Sequence, residues 1–246
     1  MANWVEGNIV DRKQWTDQLC SLYIEAPISR FEAGQFTTLA LDIDGTRIAH
    51  PYSFVNAPAD PVLEFYFNVV PDGHLTPVLA SHQQGETVWV SERPAGFFTL
   101  PEVPEGKHLW LLSSGTALGV FLSILRTETP WQRFDKITLV HAVRYPAELT
   151  YRDVLNGFKQ KHDEKFSMIS FVSREDLPGA LSGRIPQAIT DGRLEQADGD
   201  QFSTNDSQVM ICGNPDMVRD TTEALLARGL TRNRRRSPGQ ITVEHY

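Results

Sequence analysis

The pentapeptide HPYSF, residues 50–54, places an aromatic ring beside a small hydroxyl side chain. Tyr52 could stack on a flat ring system, and Ser53 could hydrogen-bond the edge of that ring. An apolar run and a tight turn precede the pair, so we expect it to open a strand. Taken alone, the pair favours a simpler interpretation, a surface tyrosine followed by a serine at a strand edge. Other parts of the chain must therefore supply the remaining walls of any site.

A second candidate is Ser173 with Arg174, followed ten residues later by Arg184. Guanidinium groups bind phosphate in a forked geometry, and a serine hydroxyl can add a further hydrogen bond. The set suits the 2′-phosphate of NADP, whereas a protein that prefers NAD is expected to offer an acidic residue to the ribose. Glu175 and Asp176 follow directly, so a helix N-terminus that carries acidic residues remains an alternative.

Both candidates need elements that position them, and the first hundred residues have the pattern of β-structure. Short runs rich in β-branched and aromatic residues are separated by turn residues. Asp44-Gly45 between LALDI and TRIAH predicts a β-hairpin. The predicted strands are Trp4 to Val10, Leu19 to Ile24, Phe36 to Ile43, Leu63 to Val70 and Thr87 to Val90, with one short helix over Leu75 to His82. We expect an antiparallel barrel, because closure removes exposed strand edges.

The pattern changes near residue 100, where LPEVPEGK (100–107) has the composition of a linker. We therefore predict domains at 1–100 and 101–246. Beyond the linker, buried-strand runs alternate with helical patterns, which predicts a parallel sheet with helices on both faces. The predicted strands are HLWLLSS (108–114), ITLVHAV (137–143), FSMISFVS (166–173) and SQVMICG (207–213), with helices through TALGVFLSILR, from Glu148 to His162 and through PDMVRDTTEALLARG.

Ligands bind at the carboxyl ends of the strands in such a sheet. Those ends are SSGT, AVRY, VSRE and CGNP. The small residues around Gly115 and Gly119 would let a ligand approach the backbone, although close helix–strand packing explains the glycines nearly as well. Cys212 has no thiolate-activating neighbour in sequence, and we interpret it as a small buried side chain and not as a nucleophile.

Composition limits the function classes. The chain has 246 residues, a formal charge of −8 and two cysteines, Cys20 and Cys212. The charge argues against nucleic-acid binding, and no metal-site motif is present. No apolar run reaches the roughly 18 residues that span a bilayer. The N-terminus lacks the layout of a signal peptide, so we expect a cytoplasmic protein with no membrane contact.

Two features of the last twenty residues stand out. Five arginines, Arg228, Arg232, Arg234, Arg235 and Arg236, form a basic cluster in an acidic chain. A solvated helix end is the ordinary interpretation, and a docking surface for an acidic protein is the sharper one, with RNA or anionic lipid as third choices. The final residue is Tyr246, and an aromatic residue is unusual at a terminus unless it docks somewhere.

Taken in order, these pieces resemble the bacterial branch of the ferredoxin/flavodoxin–NADP reductase family. The resemblance covers essentially the whole chain through FEAGQF, HPYSFVNAP, FYFNVVPDGHLTP, GFF, SSGTALG, VSRE, SGRIP, CGNPDMVRD and the terminal EHY. It implies a two-domain fold: an N-terminal antiparallel β-barrel that binds FAD, and a C-terminal α/β domain with a parallel sheet that binds NADP(H).

The resemblance also implies the FAD contacts. Tyr52 would stack on the isoalloxazine, Ser53 would hydrogen-bond near its N5, and Tyr246 would cover the opposite face. His50 stands where the family usually has an arginine that contacts the FAD phosphates. The full implied FAD set is His50, Pro51, Tyr52, Ser53, Tyr66, Phe67, Asn68, Val69, His74, Leu75, Thr76, Thr116 and Tyr246.

The implied NADP contacts lie in the second domain. They are Val143, Arg144, Ser173, Arg174, Arg184, Asn214, Pro215, Asp216 and Asp220. The catalytic set implied by the family comprises Ser53, Cys212, Glu244 and Tyr246. No metal is implied.

The implied activity is electron transfer through non-covalently bound FAD between NADPH and a ferredoxin or flavodoxin, an acidic one-electron carrier. We expect a monomer. Two alternatives remain open: an NADPH-dependent reductase of the same fold that acts on free flavin, ferric chelates or quinones, and a non-catalytic flavin-binding sensor.

Overall fold

The computed structural model describes residues 3–245 and divides them into two compact units. The first unit comprises the residues through Thr99 together with Gly119–Thr127, and the second comprises Leu100–Leu118 and the residues from Glu128 onward. The assignment of FAD and NADP binding to residues 1–100 and 101–246 stays a prediction.

The first unit contains a six-stranded antiparallel sheet with the order β4-β3-β6-β1-β2-β5. Its strands are β1 (Trp4–Thr16), β2 (Leu19–Glu25), β3 (Phe36–Ile43), β4 (Thr46–Ser53), β5 (Leu63–Asn68) and β6 (Thr87–Ser91). The sheet curls into a half-barrel, and its two edge strands approach each other at an isolated bridge between Phe54, just after β4, and Phe65 of β5. The predicted antiparallel barrel class is confirmed.

The hairpin predicted at Asp44-Gly45 is present. Both residues have positive φ angles, 49° and 75°, which a two-residue type I′ hairpin turn requires. The strand that follows is longer than expected, because it continues through HPYS to Ser53. Tyr52 and Ser53 therefore end β4 and do not open a strand, so this detail of the prediction was wrong.

A helix and a long-range hydrogen-bond network complete the first unit. The short helix predicted over 75–82 is α1 (Thr76–Ser81). Helix α2 (Leu118–Leu125) lies almost wholly in this unit, where the Ser123 hydroxyl donates to the Asn56 carbonyl at 2.7 Å. Arg126 donates to the Val55 carbonyl at 2.9 Å and pairs with the buried Glu64 at 2.5 Å. These contacts hold 54–56, the segment that follows Ser53.

The second unit contains a parallel sheet with the order β10-β9-β8-β7-β11-β12. Its strands are β7 (His108–Ser114), β8 (Lys136–Val143), β9 (Phe166–Val172), β10 (Leu181–Ser182), β11 (Ser207–Gly213) and β12 (Ile241–His245). The four predicted strands are present within one residue at each end. Sequence reasoning missed β10 and β12, which are short.

Helices cover this sheet. They are α3 (Thr129–Arg133), α4 (Arg152–His162), α5 (Ile185–Thr190), α6 (Arg193–Asp198) and α7 (Pro215–Ala227), with 3₁₀ turns at Leu100–Glu102, Gly115–Ala117, Pro146–Glu148 and Asp163–Lys165. The helix predicted from Glu148 begins at Arg152, because Tyr151 before it has a left-handed φ of 56°.

Strand order places the candidate site. From β7 the chain moves outward in one direction through β8 and β9, and it then returns to the other side of β7 with β11. The order reverses between β7 and β11, and in open parallel sheets ligands bind at this switch point, beyond the carboxyl ends of the strands. Buried apolar side chains such as Trp110, Phe171 and Ile211 form the core beneath it.

Among residues 3–245, no helix combines the length and the apolar character needed to cross a membrane.

Candidate functional site

The end of β4 presents the predicted flavin-stacking residue. The Tyr52 ring is half-buried and packs edge-on against Phe67 of β5, with ring centroids 5.7 Å apart. Burial raises the pKa of its hydroxyl, so the phenol stays protonated at neutral pH. Ser53 is half-buried, and its hydroxyl has no hydrogen-bond partner among the described residues. His50 and Pro51, the predicted phosphate-end residues, are exposed on the same strand.

The residues predicted to run along the flavin form β5 and the turn after it. Tyr66 and Phe67 are buried, and Tyr66 packs edge-on against Trp15 with a centroid distance of 6.4 Å. Asn68 and Val69 are half-buried at the strand end. Because Tyr52 contacts Phe67, the structure brings the ends of β4 and β5 together, 15 residues apart in sequence.

The predicted pyrophosphate segment, His74 to Thr76, leads into α1. His74 is exposed, Leu75 is buried, and the Thr76 hydroxyl accepts a hydrogen bond from the Val70 N–H at 2.9 Å. That bond ties the start of the helix to the end of β5. Contacts thus link the predicted FAD residues of the first unit from β4 through β5 to α1.

In the second unit the switch point is built around Ser114 and Gly213. The Ser114 hydroxyl accepts a hydrogen bond from the Asn214 N–H at 3.1 Å. Gly213 has a φ of 148°, and a Cβ there would lie 2.2 Å from the Ser114 Oγ. Glycine is therefore required by both backbone conformation and space. Sequence reasoning placed Ser114 in the SSGT junction and Gly213 in the CGNP strand end, but it did not predict their contact, which joins positions far apart in the chain.

Thr116 lies in the 3₁₀ turn after β7, and a buried histidine supports that turn. His141 of β8 is 4% exposed, and its Nε2 is 3.1 Å from the Gly115 carbonyl oxygen. Burial lowers the pKa of His141 to about 4. The imidazole is therefore neutral at pH 7 and donates from Nε2. Sequence reasoning missed this residue because it is a mid-strand position.

Cys212 and Glu244 are register partners on β11 and β12. Burial raises the pKa of the Cys212 thiol, and the nearby Glu244 carboxylate adds to the shift. A reactive thiolate needs a lowered pKa, so the burial of Cys212 supports its interpretation as a neutral small side chain. Burial also raises the pKa of Glu244 to about 7. Its carboxyl can therefore gain or lose a proton near physiological pH.

The ends of β8 and β9 bring the predicted phosphate residues together. The Ser173 and Arg174 N–H groups donate to the carbonyls of Val143 and Arg144 at 3.1 and 3.0 Å. The Arg174 guanidinium lies 5.7 Å from the Tyr145 ring centroid and 3.3 Å from its hydroxyl. Arg144 pairs with Glu148 at 2.9 Å, whereas Arg174 has no acidic partner among the described residues.

Arg184 lies close to this group in the fold. Ser182 of β10 pairs with Val172, the residue before Ser173, and Arg184 follows two residues later as the N-cap of α5. Its side chain is exposed and has no ion-pair partner among the described residues. Two unpaired guanidiniums therefore stand beside an exposed serine.

The Asn214–Asp220 segment begins α7. The Asn214 side chain caps the helix by accepting from the N–H groups of Asp216 and Met217 at 3.0 and 3.4 Å. Asp216 and Asp220 are both paired with Arg219, at 2.7 and 2.8 Å. Pro215 occupies the first helical turn, where a missing N–H costs nothing. Tyr246, predicted to cover the flavin, lies outside the described residues.

A further cluster with ligand-type side chains lies at the opposite, amino end of the sheet. His108, Asp198 and Asp200 are within metal-ligand reach of one another. The Lys136 Nζ, however, is 2.7 Å from both carboxylates and supplies the cation there. The cluster is therefore an internal ion-pair network.

The residues present fit the two groups that the sequence implies. In the first unit, an aromatic ring and an unengaged hydroxyl stand beside exposed backbone at a strand end. In the second unit, two guanidiniums that have no acidic partner among the described residues and a serine match a phosphate, and Gly213 lets a ligand approach the backbone. Fold and site together define a two-domain pyridine-nucleotide oxidoreductase.

Comparison with known proteins agrees. The family model described as the oxidoreductase NAD-binding domain matches residues 111–223. A flavodoxin/ferredoxin–NADP reductase of Shigella flexneri is 47% identical over 100% of both chains. A ferredoxin–NADP reductase of Pseudomonas aeruginosa is 32% identical over 99% of this chain and 98% of its own.

A solved structure of a reductase is also similar to this chain over its whole length. A ferredoxin NADP⁺ reductase from Neisseria gonorrhoeae with bound FAD and NADP superimposes with a TM-score of 0.94 at 34% identity, covering 100% of this chain and 99% of that one. The chain belongs to the flavodoxin/ferredoxin–NADP reductase family, and both the predicted family and the predicted two-domain fold are confirmed.

Proposed function

We propose that the protein uses FAD to exchange electrons between NADP(H) and a ferredoxin or flavodoxin. The observation that carries the proposal is the arrangement at the ends of β8 and β9. Backbone hydrogen bonds hold Ser173 and Arg174 beside Arg144, and among the described residues no acid pairs with the guanidinium of Arg174. Such a group recognises the doubly charged 2′-phosphate, and family membership supports the same nucleotide.

FAD, when bound, supplies the redox chemistry, since it takes up a hydride as two electrons and releases electrons singly. The chain's own residues bind and orient it. Tyr52 offers a ring held by Phe67, and Ser53 offers a hydroxyl that is not used elsewhere among the described residues. We assign Ser53 the hydrogen bond near the reacting edge of the flavin, as the resemblance implies.

On the nicotinamide side, we assign Cys212 and Glu244 positioning roles. The buried, protonated thiol offers a small, weakly polar surface. Glu244 can hold a proton at its carboxyl near neutral pH, because burial places its pKa at about 7. We expect it to accept or donate one hydrogen bond to the nucleotide according to its protonation state.

An absorbance spectrum of the purified protein, before and after anaerobic NADPH addition, tests the core of the proposal. The expected result is a flavin spectrum that NADPH bleaches. A colourless protein that takes up no FAD on reconstitution would refute it. Rates of NADPH oxidation with ferredoxin, flavodoxin and free flavin then identify the acceptor, and faster turnover with free flavin would contradict the proposed carrier.

We assign carrier docking to an arginine patch formed by Arg232, Arg234, Arg235 and Arg236. All four side chains are exposed, and none has an ion-pair partner among the described residues. Arg228, also in the basic cluster, does not belong to the patch, because its guanidinium pairs with Glu195 at 2.7 Å and donates to the Ile189 carbonyl. The patch complements an acidic carrier and would steer its approach.

Replacing Arg234, Arg235 and Arg236 by Gln tests the patch. We expect carrier reduction to slow several-fold at low ionic strength and the difference to shrink in salt, because screening weakens long-range steering. Reduction of a small dye serves as the control and is expected to stay unchanged. A rate that responds to neither salt nor substitution would remove the docking assignment.

We further propose that the protein acts as a cytoplasmic monomer. The large apolar side chains that are exposed, such as Phe97, Met168 and Leu226, are scattered along the chain. Sedimentation velocity of the FAD-loaded protein tests this, and a concentration-dependent dimer would contradict it.

A further inference from the structure

The second unit contains a cavity that the proposed reductase activity does not use. It has a volume of about 350 Å³ and lies between strands β8 and β9, helix α4 and the loop at residues 177–180. This volume is at the lower end of the range for small-molecule sites. None of the residues predicted to bind NADP lines it.

The cavity lining combines apolar side chains with the polar residues His141, Thr150 and Ser170. Leu139, Leu155 and Ile169 line it and are 1%, 7% and 8% exposed. His141 also lines it and is 4% exposed. Because its Nε2 must donate to the Gly115 carbonyl, its Nδ1 carries a lone pair. That nitrogen has no donor among the described residues, so an occupant would have to supply an O–H or N–H.

The mouth of the cavity is suited to an anion. Arg152, the first residue of α4, lines it and is exposed. No side-chain hydrogen bond caps the N-terminus of this helix, and the Arg152 Nε donates to the Leu149 carbonyl at 3.2 Å. Asn156 adds an exposed amide one turn further on. Glu148, whose charge raises the pKa of His141, is already paired with Arg144 at 2.9 Å.

We propose that this cavity binds a small aromatic carboxylate that carries an O–H or N–H donor on the side opposite its carboxylate. The carboxylate lies at Arg152 and the helix N-terminus, the ring lies between the leucines, and the donor meets His141. A ligand here touches a residue that also holds the Gly115 carbonyl, in the turn that carries Thr116. A carboxylate bound in the cavity is therefore expected to change the rate of NADPH turnover without displacing the nucleotide.

The probe is 4-hydroxybenzoate, titrated into the FAD-loaded full-length protein and followed by ligand-observed NMR. We expect saturable binding at one site that NADP⁺ does not compete away. Arg152→Gln should weaken binding about tenfold, the usual effect of losing one charged hydrogen bond. Lys161→Gln makes the same charge change at the other end of α4, away from the cavity, and should leave affinity within twofold.

Two further comparisons test His141. In the unaltered protein, 4-methylbenzoate, which lacks the donor, should bind at least fivefold more weakly than 4-hydroxybenzoate. His141→Phe keeps a ring of similar size and should abolish that preference, even if it also weakens both ligands. Phenol, which lacks the carboxylate, should not respond to Arg152→Gln.

Absence of saturable binding, competition by NADP⁺, equal effects of the Arg152 and Lys161 substitutions, or a hydroxyl preference that survives His141→Phe would each overturn the proposal. NADPH-dependent dye reduction, measured in the same samples without the probe, reports the reductase activity separately. Failure of the cavity site therefore leaves the proposed function intact, and the reverse also holds.

Discussion

The two ends of the parallel sheet carry the same kinds of side chains and use them differently. At the amino end, Lys136 bridges Asp198 and Asp200, and the Thr138 hydroxyl donates to Asp198 at 2.7 Å. His108 lies 2.8 Å from that same hydroxyl oxygen. At the carboxyl end, Arg174 and Arg184 have no acidic partner among the described residues.

The difference shows that residue type does not by itself mark a site. The amino-end groups satisfy one another, so the cluster stabilises the unit and has no capacity left for a ligand. At the carboxyl end, strand ends converge and leave the guanidiniums of Arg174 and Arg184 without an acidic partner among the described residues. Those groups are available to a ligand. Five experiments test this contrast.

The largest effect is expected from replacing both Arg174 and Arg184 by Ala. Each charged hydrogen bond to a phosphate contributes roughly 1.5–3 kcal/mol, so the preference for NADPH over NADH should fall about 10²- to 10⁴-fold. The measurement is kcat/KM for both nucleotides with a dye acceptor. Arg47→Ala, at a paired arginine of the first unit, is the control. Equal losses for both nucleotides would place the 2′-phosphate elsewhere.

At the amino end, Lys136→Met should lower the free energy of unfolding by about 3 kcal/mol, because it leaves a buried carboxylate without its cation. Urea unfolding measures this loss. The exposed Lys161→Met, whose partner Glu128 is also exposed, should change stability by less than about 0.5 kcal/mol. KM for NADPH in the folded variant should not change, and a large rise would mean that the amino end also contributes to binding.

The third experiment concerns pH. Burial raises the pKa of Glu244 from 4.5 to about 7, so the folded protein holds this proton more tightly than the unfolded chain. Stability should therefore fall as pH rises from 4.5 to 7, by about 2 kcal/mol once partial exposure is allowed for. Glu244→Gln should abolish this dependence. Unfolding curves at pH 4.5 and 8 measure it, and parallel curves for the two proteins would refute the assignment.

At the amino end, by contrast, burial lowers the pKa of His108 from 6.5 to about 4, so the folded protein keeps this side chain neutral where the unfolded chain takes up a proton. His108 should therefore make stability rise between pH 5.5 and 8, the opposite sign to Glu244, and a substitution of His108 should remove that rise. An unchanged slope would show that the folded protein binds this proton as readily as the unfolded chain.

The smallest effect is expected on α7. Asp216 and Asp220 share Arg219 on an exposed helix face, and surface pairs of this kind contribute little. Asp216→Asn and Asp220→Asn should each change the free energy of unfolding by less than about 0.5 kcal/mol. KM for NADPH in the same variants tests the predicted nucleotide contact, and an unchanged KM would leave the two acids as surface charges only.

Much of the fold could be predicted, because the signals that specify it lie within a few consecutive residues. The buried parallel strands are continuous apolar runs, and Asp44-Gly45 specifies its turn through backbone conformation alone. The short strand β12 was missed because five residues after a Pro-Gly turn carry little pattern. The end of β4 was misjudged because HPYS contains a proline, which β4 tolerates at the edge of its sheet.

The candidate site was predictable in part. Ser173, Arg174 and the CGNP strand end were identified because strand ends and phosphate-binding residue types are both visible in sequence. His141 was not, because a buried mid-strand histidine has no local signature. Arg228 was grouped with the arginine patch by sequence proximity, whereas its pairing with Glu195 depends on how α6 and α7 pack.

The sequence by itself determined the two-unit organisation, the class of each sheet, the family and the residue types available for binding. Only the tertiary structure decided which of those residues are satisfied internally. Ser114 meets Asn214 across 100 residues, and Lys136 meets Asp198 across 62. The physical reason is that periodicity and turns act over a few residues, whereas hydrogen-bond satisfaction depends on partners that packing alone brings together.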